Sequence, residues 1–298
     1  MKDDFDRVRT RLAARIARWT AGSEQHSTAI PGLGVYRHVD TGSPMNCLME
    51  PSIAMPVQGA KRVLLGSEVY TYNSEHFLIT SLELPVVLQV TEVSPESPYL
   101  SAALRLDARV IGELMMEGKL PSPDRQPLLQ RSIVLGETTV ALLEAFDRLI
   151  GLLDEPELIP VLAPLMQREI FYRVLRSDAG RHLWQMASIG SQSQRIGRAI
   201  EWLKANFQDP LRIEELASRV EMSPSRFHHH FRHFTSMSPL QFQKWLRLTE
   251  ARRLMVTQGL DASTAAYRVG YGNPSQFSRE YNRQFGAPPR RDVDGILL

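Results

Sequence analysis

Two sets of polar side chains, 50 residues apart, have the types needed to read nucleic acid. The first is Ser225, His228, His229 and Arg232; the second is Ser275, Gln276, Arg279 and Arg283. Arg and Gln match the donor–acceptor pairs on guanine and adenine edges, whereas His and Ser are more permissive readers. Each set alternates with an apolar stripe at helical spacing: Phe227, Phe231 and Phe234 in the first, Phe277, Tyr281 and Phe285 in the second. A helix that buries such a stripe turns the polar set outward. Lys244, Arg247 and the helix N-termini are expected to grip phosphates, which gives affinity without sequence information.

The elements that must hold these residues form one pattern written twice. Val220-x-x-Ser223-Pro224-Ser225-x-Phe227-x-x-x-Phe231 returns as Val269-Gly270-Tyr271-Gly272-Asn273-Pro274-Ser275-Gln276-Phe277-x-x-x-Tyr281, with Pro239 and Pro289 also in register. Each copy reads as a short helix, a turn and a second helix, the shape of a helix-turn-helix whose second helix enters the major groove. Ser223-Pro224 is an N-cap followed by proline at the first helical position. Between the copies, residues 239–258 read as a long amphipathic helix carrying Leu240, Trp245, Leu248 and Met255. Its span is ~30 Å at ~1.5 Å per residue, close to the ~34 Å between successive major-groove faces. Residues 196–207 and 211–220 supply the helices before the first turn.

At 298 residues and 43% hydrophobic composition, the chain has room for two well-packed domains. Residues 191–298 hold 16 Lys/Arg against 10 Asp/Glu, a net +6, whereas residues 1–190 hold 19 against 23, a net −4. A basic C-terminal third on an acidic remainder fits a nucleic-acid module joined to something else. A single cysteine, Cys47, excludes an intrachain disulfide and the thiolate-rich zinc sites. Arginines interrupt every apolar run near the N-terminus, so no secretory signal or membrane span is expected, and the cytoplasm is the expected compartment.

Residues 3–20 read as an amphipathic helix whose Phe5, Val8, Leu12, Ile16 and Trp19 pack on its own domain. Short β-prone runs follow at 33–38, 47–58, 62–65, 68–72, 76–81, 86–93 and 99–106, a spacing that suggests a sandwich or small barrel. Barrel mouths are common small-molecule sites. Residues 107–118 read as a helix closed by glycine, and Pro121, Pro123 and Pro127 as a turn-rich connection. Helical pattern resumes over 137–153, 157–176 and 178–187. The first of these is apolar on more than one face, which points to a dimer interface or to burial within the domain, the interface being favoured. Residues 190–194 read as the linker.

Along roughly 195–291 the residues resemble the AraC/XylS family of bacterial transcription regulators. The likeness rests on Leu216-Ala217, Met222-Ser223-Pro224-Ser225-x-Phe227, Phe231, Ser238-Pro239, Ala251-x-x-Leu254, Ala265, Val269-Gly270-Tyr271, Gln276-Phe277-Ser278-Arg279 and Phe285-Gly286-x-x-Pro289. The resemblance implies two helix-turn-helix units joined by a helix and bound to promoter DNA, with Ser225, His228, His229, Ser275, Gln276 and Arg279 as DNA-facing positions. Ser236 stands where the family commonly has glycine, and His228-His229-His230 is unusually His-rich. Residues 29–106 also look like the regulatory region of one AraC subgroup, through Glu50-Pro51-Ser52-Ile53, Val57-Gln58-Gly59-x-Lys61, Leu82-Glu83-Leu84-Pro85-Val86 and Ser94-Pro95-Glu96-x-Pro98-Tyr99. That likeness implies a cupin-like β domain that senses an effector.

Rival chemistries have thinner support. His229 and His233 lie four apart and could share a metal, but no third ligand is evident. Cys47 could sense oxidants or electrophiles, although a lone cysteine in a β run is more often a small buried apolar residue. The alternative function is a metal-dependent cupin-type enzyme with an attached DNA-binding domain. It would need clustered His and Glu, whereas His38 and His76 are isolated, and no phosphate-loop, nucleophile-elbow or HExxH motif occurs. A DNA-binding architectural protein without an effector is the third class. The expectation is therefore an α+β two-domain chain that is not an enzyme. Residues 1–190 form a regulatory and dimerisation domain, β-rich over 29–106 and helical over 107–187; residues 191–298 form an all-α DNA-binding domain. The expected partners are double-stranded promoter DNA, a small-molecule effector, RNA polymerase and a second copy of the chain. No catalytic residue, metal or cofactor is expected.

Overall fold

The structure, a computed structural model, describes residues 2–117, 132–188 and 190–297. The chain divides into two compact units, Met1–Gln194 and Arg195–Leu298. Gly118, expected to close a helix, and Pro121, Pro123 and Pro127, expected to form a turn-rich connection, lie outside the described residues.

The first unit begins with α1 (Lys2–Trp19) and continues into two antiparallel sheets. The six-stranded sheet runs in the order β1 (Gln25–Ser27), β2 (Leu33–His38), β9 (Tyr99–Arg105), β4 (Ser52–Gln58), β7 (His76–Thr80), β10 (Ile133–Glu137). The four-stranded sheet runs β3 (Met45–Met49), β8 (Leu84–Glu92), β5 (Ala60–Leu65), β6 (Glu68–Asn73). The β-prone run at 47–58 is two strands in different sheets: Met45 to Met49 pairs with β8, and Ser52 to Ala54 pairs with both β7 and β9. Pro51 between them lacks the N–H that would continue one ladder.

Strand β9 shows how the large sheet serves two faces. Leu100, Ala102 and Leu104 join the core with α1 and the later helices, while Tyr99, Ser101 and Ala103 line a cavity on the other side. This is the period-2 alternation of a strand covered on both faces.

Helices α2 (Ala108–Glu117), α3 (Val140–Gly151), α4 (Ile159–Leu175) and α5 (Gly180–Ala187) complete the unit. The helix expected from residue 137 starts later. Glu137 ends β10, where it pairs with His76, and Thr139 caps α3 by accepting from the Leu142 amide. The expected dimer interface on this helix is also corrected. Leu142, Leu143, Ala145, Phe146, Leu149 and Ile150 are all buried, and α3 packs against both α1 and α4 inside the chain. The arginine face of α1 is likewise used internally: Arg11 and Arg15 pair with the buried Asp147 at 2.7 and 2.9 Å, and Arg15 and Arg18 pair with Asp154. The expected linker at 190–194 is partly helical, because α6 (Gln192–Asn206) already begins within it.

The second unit holds α7 (Ile213–Arg219), α8 (Pro224–Thr235), α9 (Pro239–Gln258), α10 (Ala262–Arg268), α11 (Pro274–Phe285) and α12 (Pro289–Leu297). The doubled pattern becomes doubled structure. In the first copy Glu221 takes φ +57°, and Glu221 and Met222 donate back to Ser218 and Ala217. In the second, Gly270 takes φ +88°, and Gly270 and Tyr271 donate back to Tyr267 and Ala266. Both are Schellman-type endings, which satisfy the last carbonyls of a helix with a left-handed residue.

Candidate nucleic-acid interface and a cavity between the sheets

Helices α8 and α11 start at caps that the sequence encodes locally. Ser223 Oγ accepts from the Arg226 amide, and Asn273 Oδ1 accepts from the Ser275 and Gln276 amides at 2.8 and 3.3 Å. Phe227 and Phe231 of α8 and Phe277 and Tyr281 of α11 are fully buried, with ring centroids 5.5 Å apart in each pair. That anchoring fixes the roll of each helix. Ser225, His228, His229 and Arg232 are exposed on α8, as are Ser275, Gln276, Arg279 and Arg283 on α11. Arg226 and His233 on α8 and Asn282 on α11 are exposed as well; Arg226 and Asn282 were not singled out from the sequence, and His233 was considered there only beside His229 as a metal pair. The same helical periodicity places Asn282 three residues beyond Arg279, so that signal was available.

Two cations expected to grip phosphates do other work. Lys244 pairs with Glu280 at 2.7 Å, and Glu280 also accepts from the Tyr271 hydroxyl at 2.7 Å. Arg247 spreads its guanidinium over four backbone carbonyls: Nε to Phe207 at 2.6 Å, Nη2 to Gln208 and Asp209, and Nη1 to Gly270 at 3.0 Å. Long-range carbonyl partners of this kind leave no sequence signal. Arg252 is held by Asp292 at 2.7 and 2.8 Å, and Arg253 by Glu250 at 2.7 Å. By contrast Arg226, Arg232, Arg279 and Arg283 make no ion pair among the described residues. The uncommitted cations of the second helices therefore sit on their exposed faces.

The histidine run on α8 stays dispersed. His229 and His233 stack with centroids 6.4 Å apart, and His230 is half-buried with its pKa lowered by burial and then by the charges of His229, Arg226 and His233. Among the described residues, no group of three or more His, Cys, Asp or Glu side chains is arranged to hold a metal ion, at α8 or in the β domain.

The first unit encloses a cavity of about 680 Å³ lined from both sheets, within the range of small-molecule pockets, ~300–1,000 Å³. Lys61 on β5 reaches into it and is only 8% exposed. Its ammonium lies 5.4 Å from the centre of the Tyr99 ring, and it forms no ion pair with a carboxylate among the described residues. Burial lowers its pKa from the ordinary 10.5. Desolvating an unpaired ion costs on the order of several kcal/mol, so this lysine needs a reason to be there. Gly59, two residues earlier, has φ +74°, and a Cβ there would lie 2.3 Å from the Glu92 carbonyl oxygen, which keeps β5 close to β8 and β9 at this point.

Three phenols share the cavity wall. Tyr72 and Tyr99 are hydrogen-bonded to each other; burial raises both pKa values, that of Tyr99 to about 12. Tyr36 is raised by burial and then by Glu50. His38 is pushed down from 6.5 by burial and by the Lys61 charge. Cys47 also lines the cavity; burial lifts its thiol to about 11, against a smaller downward pull from Lys61. Sequence reasoning missed Lys61 as a cavity residue. The available signal was its place in alternation with the buried Val63 and Leu65, an inward position for a charged side chain.

Comparison with known proteins supplies the family. A model described as the N-terminus of AraC-type transcriptional regulators matches residues 29–182, and a helix-turn-helix domain model matches residues 216–293. The transcriptional activator RhaS of Yersinia pestis is 29% identical over 111 residues, covering 36% of this chain and 41% of that protein. RhaS of Pectobacterium carotovorum is 27% identical over 137 residues, covering 46% and 47%, and the regulator GbdR of Pseudomonas aeruginosa is 24% identical over 136 residues, covering 46% and 37%. The chain thus matches less than half the length of these relatives. Among solved structures, ToxT from Vibrio cholerae superposes with a TM-score of 0.57 at 13% identity, covering 88% of this chain and 97% of that one. A ToxT structure with bound unsaturated fatty acid gives 0.55 at 10% identity, covering 88% and 94%. These two likenesses are of fold. Since the N-terminal model alone accounts for more than half of its residues, this chain belongs to the AraC-type transcriptional regulators.

Proposed function

We propose that this protein is a sequence-specific DNA-binding transcription regulator whose cavity between the sheets takes a small-molecule effector. The observation that carries the DNA reading is the pair of capped helices α8 and α11, each with exposed arginines that no carboxylate engages among the described residues. Ser225, His228, His229 and Arg232 on α8, and Ser275, Gln276, Arg279 and Arg283 on α11, are the proposed contacts, joined by Arg226, His233 and Asn282. The 20-residue α9 between the two helix-turn-helix copies spans ~30 Å, suited to adjacent major-groove segments ~34 Å apart. The ligand seen in ToxT supports reading the cavity as an effector site rather than a catalytic one. The protein acts without enzymatic activity, in the cytoplasm, as a homodimer that also meets RNA polymerase. Val161 and Leu165, exposed on α4 at 69% and 60%, supply an apolar surface for a second copy. No helix among the described residues is long and apolar enough to cross a membrane.

Selection of bound fragments from a random DNA pool tests the reading, with wild type and Arg279→Ala run in parallel. The expected result is a motif with two blocks about one helical turn apart, one of them degraded by the substitution. Losing one good base contact costs ~1–3 kcal/mol. No enriched motif, or one that Arg279→Ala leaves intact, overturns the proposed reading of base edges by α11.

A further inference from the structure

We propose that the effector carries a carboxylate, and that this group sits against Lys61 among the hydroxyls of Tyr36, Tyr72 and Tyr99. The inference rests on reading the cavity as the effector site, and goes beyond it by naming the ligand's chemistry and its anchor.

The argument starts from charge. Lys61 is 8% exposed, faces the cavity, and has the Tyr99 ring rather than a carboxylate beside it. An aromatic face attracts a cation, but more weakly than a counter-ion does in a desolvated site. With no carboxylate beside it, the ammonium depends for its solvation on whatever water the cavity admits. A neutral ligand that displaced this water would leave the charge unpaired and buried, which is the unfavourable case. An anionic ligand reverses that balance, because one carboxylate oxygen takes the ammonium and the other is free for phenol donors.

The neighbours agree with this assignment. The acidic residues on the cavity wall, Glu24 and Glu50, are both exposed, and Glu24 lies 3.9 Å from His38. Tyr72 and Tyr99 are buried and hydrogen-bonded to each other, and their raised pKa values keep both protonated, so the pair has one hydroxyl hydrogen left to donate to a ligand. Cys47 stays a neutral thiol. Away from Lys61 the wall includes Met45, Met49, Leu88, Ala54 and Ala103, a surface for an apolar body. The preferred ligand is thus an amphiphile with one acidic end: an aromatic or medium-chain aliphatic acid.

The test uses the full-length protein with benzoate, cinnamate, octanoate and decanoate, each against its methyl ester, and with neutral hexoses, by calorimetry and thermal shift. At least one acid is expected to bind saturably and raise the melting midpoint, with its ester weaker by about 10- to 100-fold, the loss of one charge-assisted hydrogen bond. Lys61→Met is expected to lose the acid by a similar factor while melting cooperatively, and Lys61→Arg to retain part of the affinity. Tyr36→Phe leaves Lys61 in place and provides a milder variant, expected to weaken the acid but not the ester. Acids and esters binding alike, or an acid affinity unchanged in Lys61→Met, overturns the proposal. If hexoses or esters bind and no acid does, the carboxylate inference falls while the effector cavity stands. If nothing in the set binds, the inference and the effector reading fall together.

Discussion

Arg247 donates from Nη1 to the Gly270 carbonyl at 3.0 Å, across the turn of the second helix-turn-helix. The first turn repeats the device: Arg195 Nη1 donates to the Glu221 carbonyl at 2.6 Å. In each copy an arginine on the preceding long helix holds the left-handed residue that re-aims the chain into the second helix. Gly270 has little choice of residue, since a Cβ there would lie 2.2 Å from the Gln208 carbonyl oxygen. Arg247→Ala is therefore expected to destabilise the protein by about 2–3 kcal/mol, the value of losing charged hydrogen bonds, although Gln243 still donates to the Phe207 and Asp209 carbonyls. Gly270→Ala is expected to cost at least that, through strain and the clash. Arg253→Ala, which breaks an exposed pair with Glu250, is expected to fall within about 1 kcal/mol of wild type. Urea denaturation measures all three. A normal melt for Arg247→Ala combined with weaker, less salt-dependent DNA binding would restore Arg247 as a phosphate contact.

Ser236 takes φ +58° at the end of α8, the position that Gly286 fills at the end of α11 with φ +77°. A non-glycine residue in this region strains its Cβ against the backbone. Ser236→Gly is expected to raise stability by about 0.5–1 kcal/mol, the strain relieved less the entropy that glycine adds to the unfolded chain. A thermal melt that moves down instead would mean the serine side chain contributes more than its backbone conformation costs.

Lys61 makes the first unit's stability depend on pH in a predictable direction. Its folded pKa lies below the ordinary 10.5, so in the window beneath that value the unfolded chain binds more protons, and stability rises with pH. Tyr72 and Tyr99 act oppositely: their raised folded values retain protons above pH 10, and stability falls there. Without ligand, Lys61→Met is expected to be at least as stable as wild type at neutral pH and to lose the rise in stability that wild type shows as pH climbs toward the ordinary 10.5. Identical slopes for the two proteins across that range would show that the lysine is well solvated when folded.

Cys47 should be a poor nucleophile, because its thiol is lifted to about 11 by burial. Only the thiolate reacts, so iodoacetamide labelling at pH 7.5 is expected to be slower in the native protein than after denaturation, by about the ratio of thiolate fractions and with a further loss from restricted access. Labelling at equal rates would reopen oxidant or electrophile sensing at this residue.

Local chemistry made the second unit readable in advance. Ser223-Pro224, Asn273-Pro274 and Ser238-Pro239 each cap and start a helix within four residues, and the aromatic stripes declare a buried face at a 3.6-residue period. The sequence by itself therefore determined α8, α9 and α11, and which side chains α8 and α11 turn outward. Most of the β-strands were legible for a similar reason, as alternation is local too. What tertiary structure decided is everything that depends on a distant partner. The division of 47–58 between two sheets, the pairing of β10 with β7 across more than 50 residues and the cover that α1 and α4 place over α3 all belong to this class. So do the two basic residues whose roles changed or emerged. Arg247 and Lys61 each look like a surface cation in sequence; four carbonyls claim the first, and a cavity closed by strands from two sheets encloses the second. The types and local spacing of residues suffice for helix faces, whereas a charge takes its role from the groups that the fold brings around it.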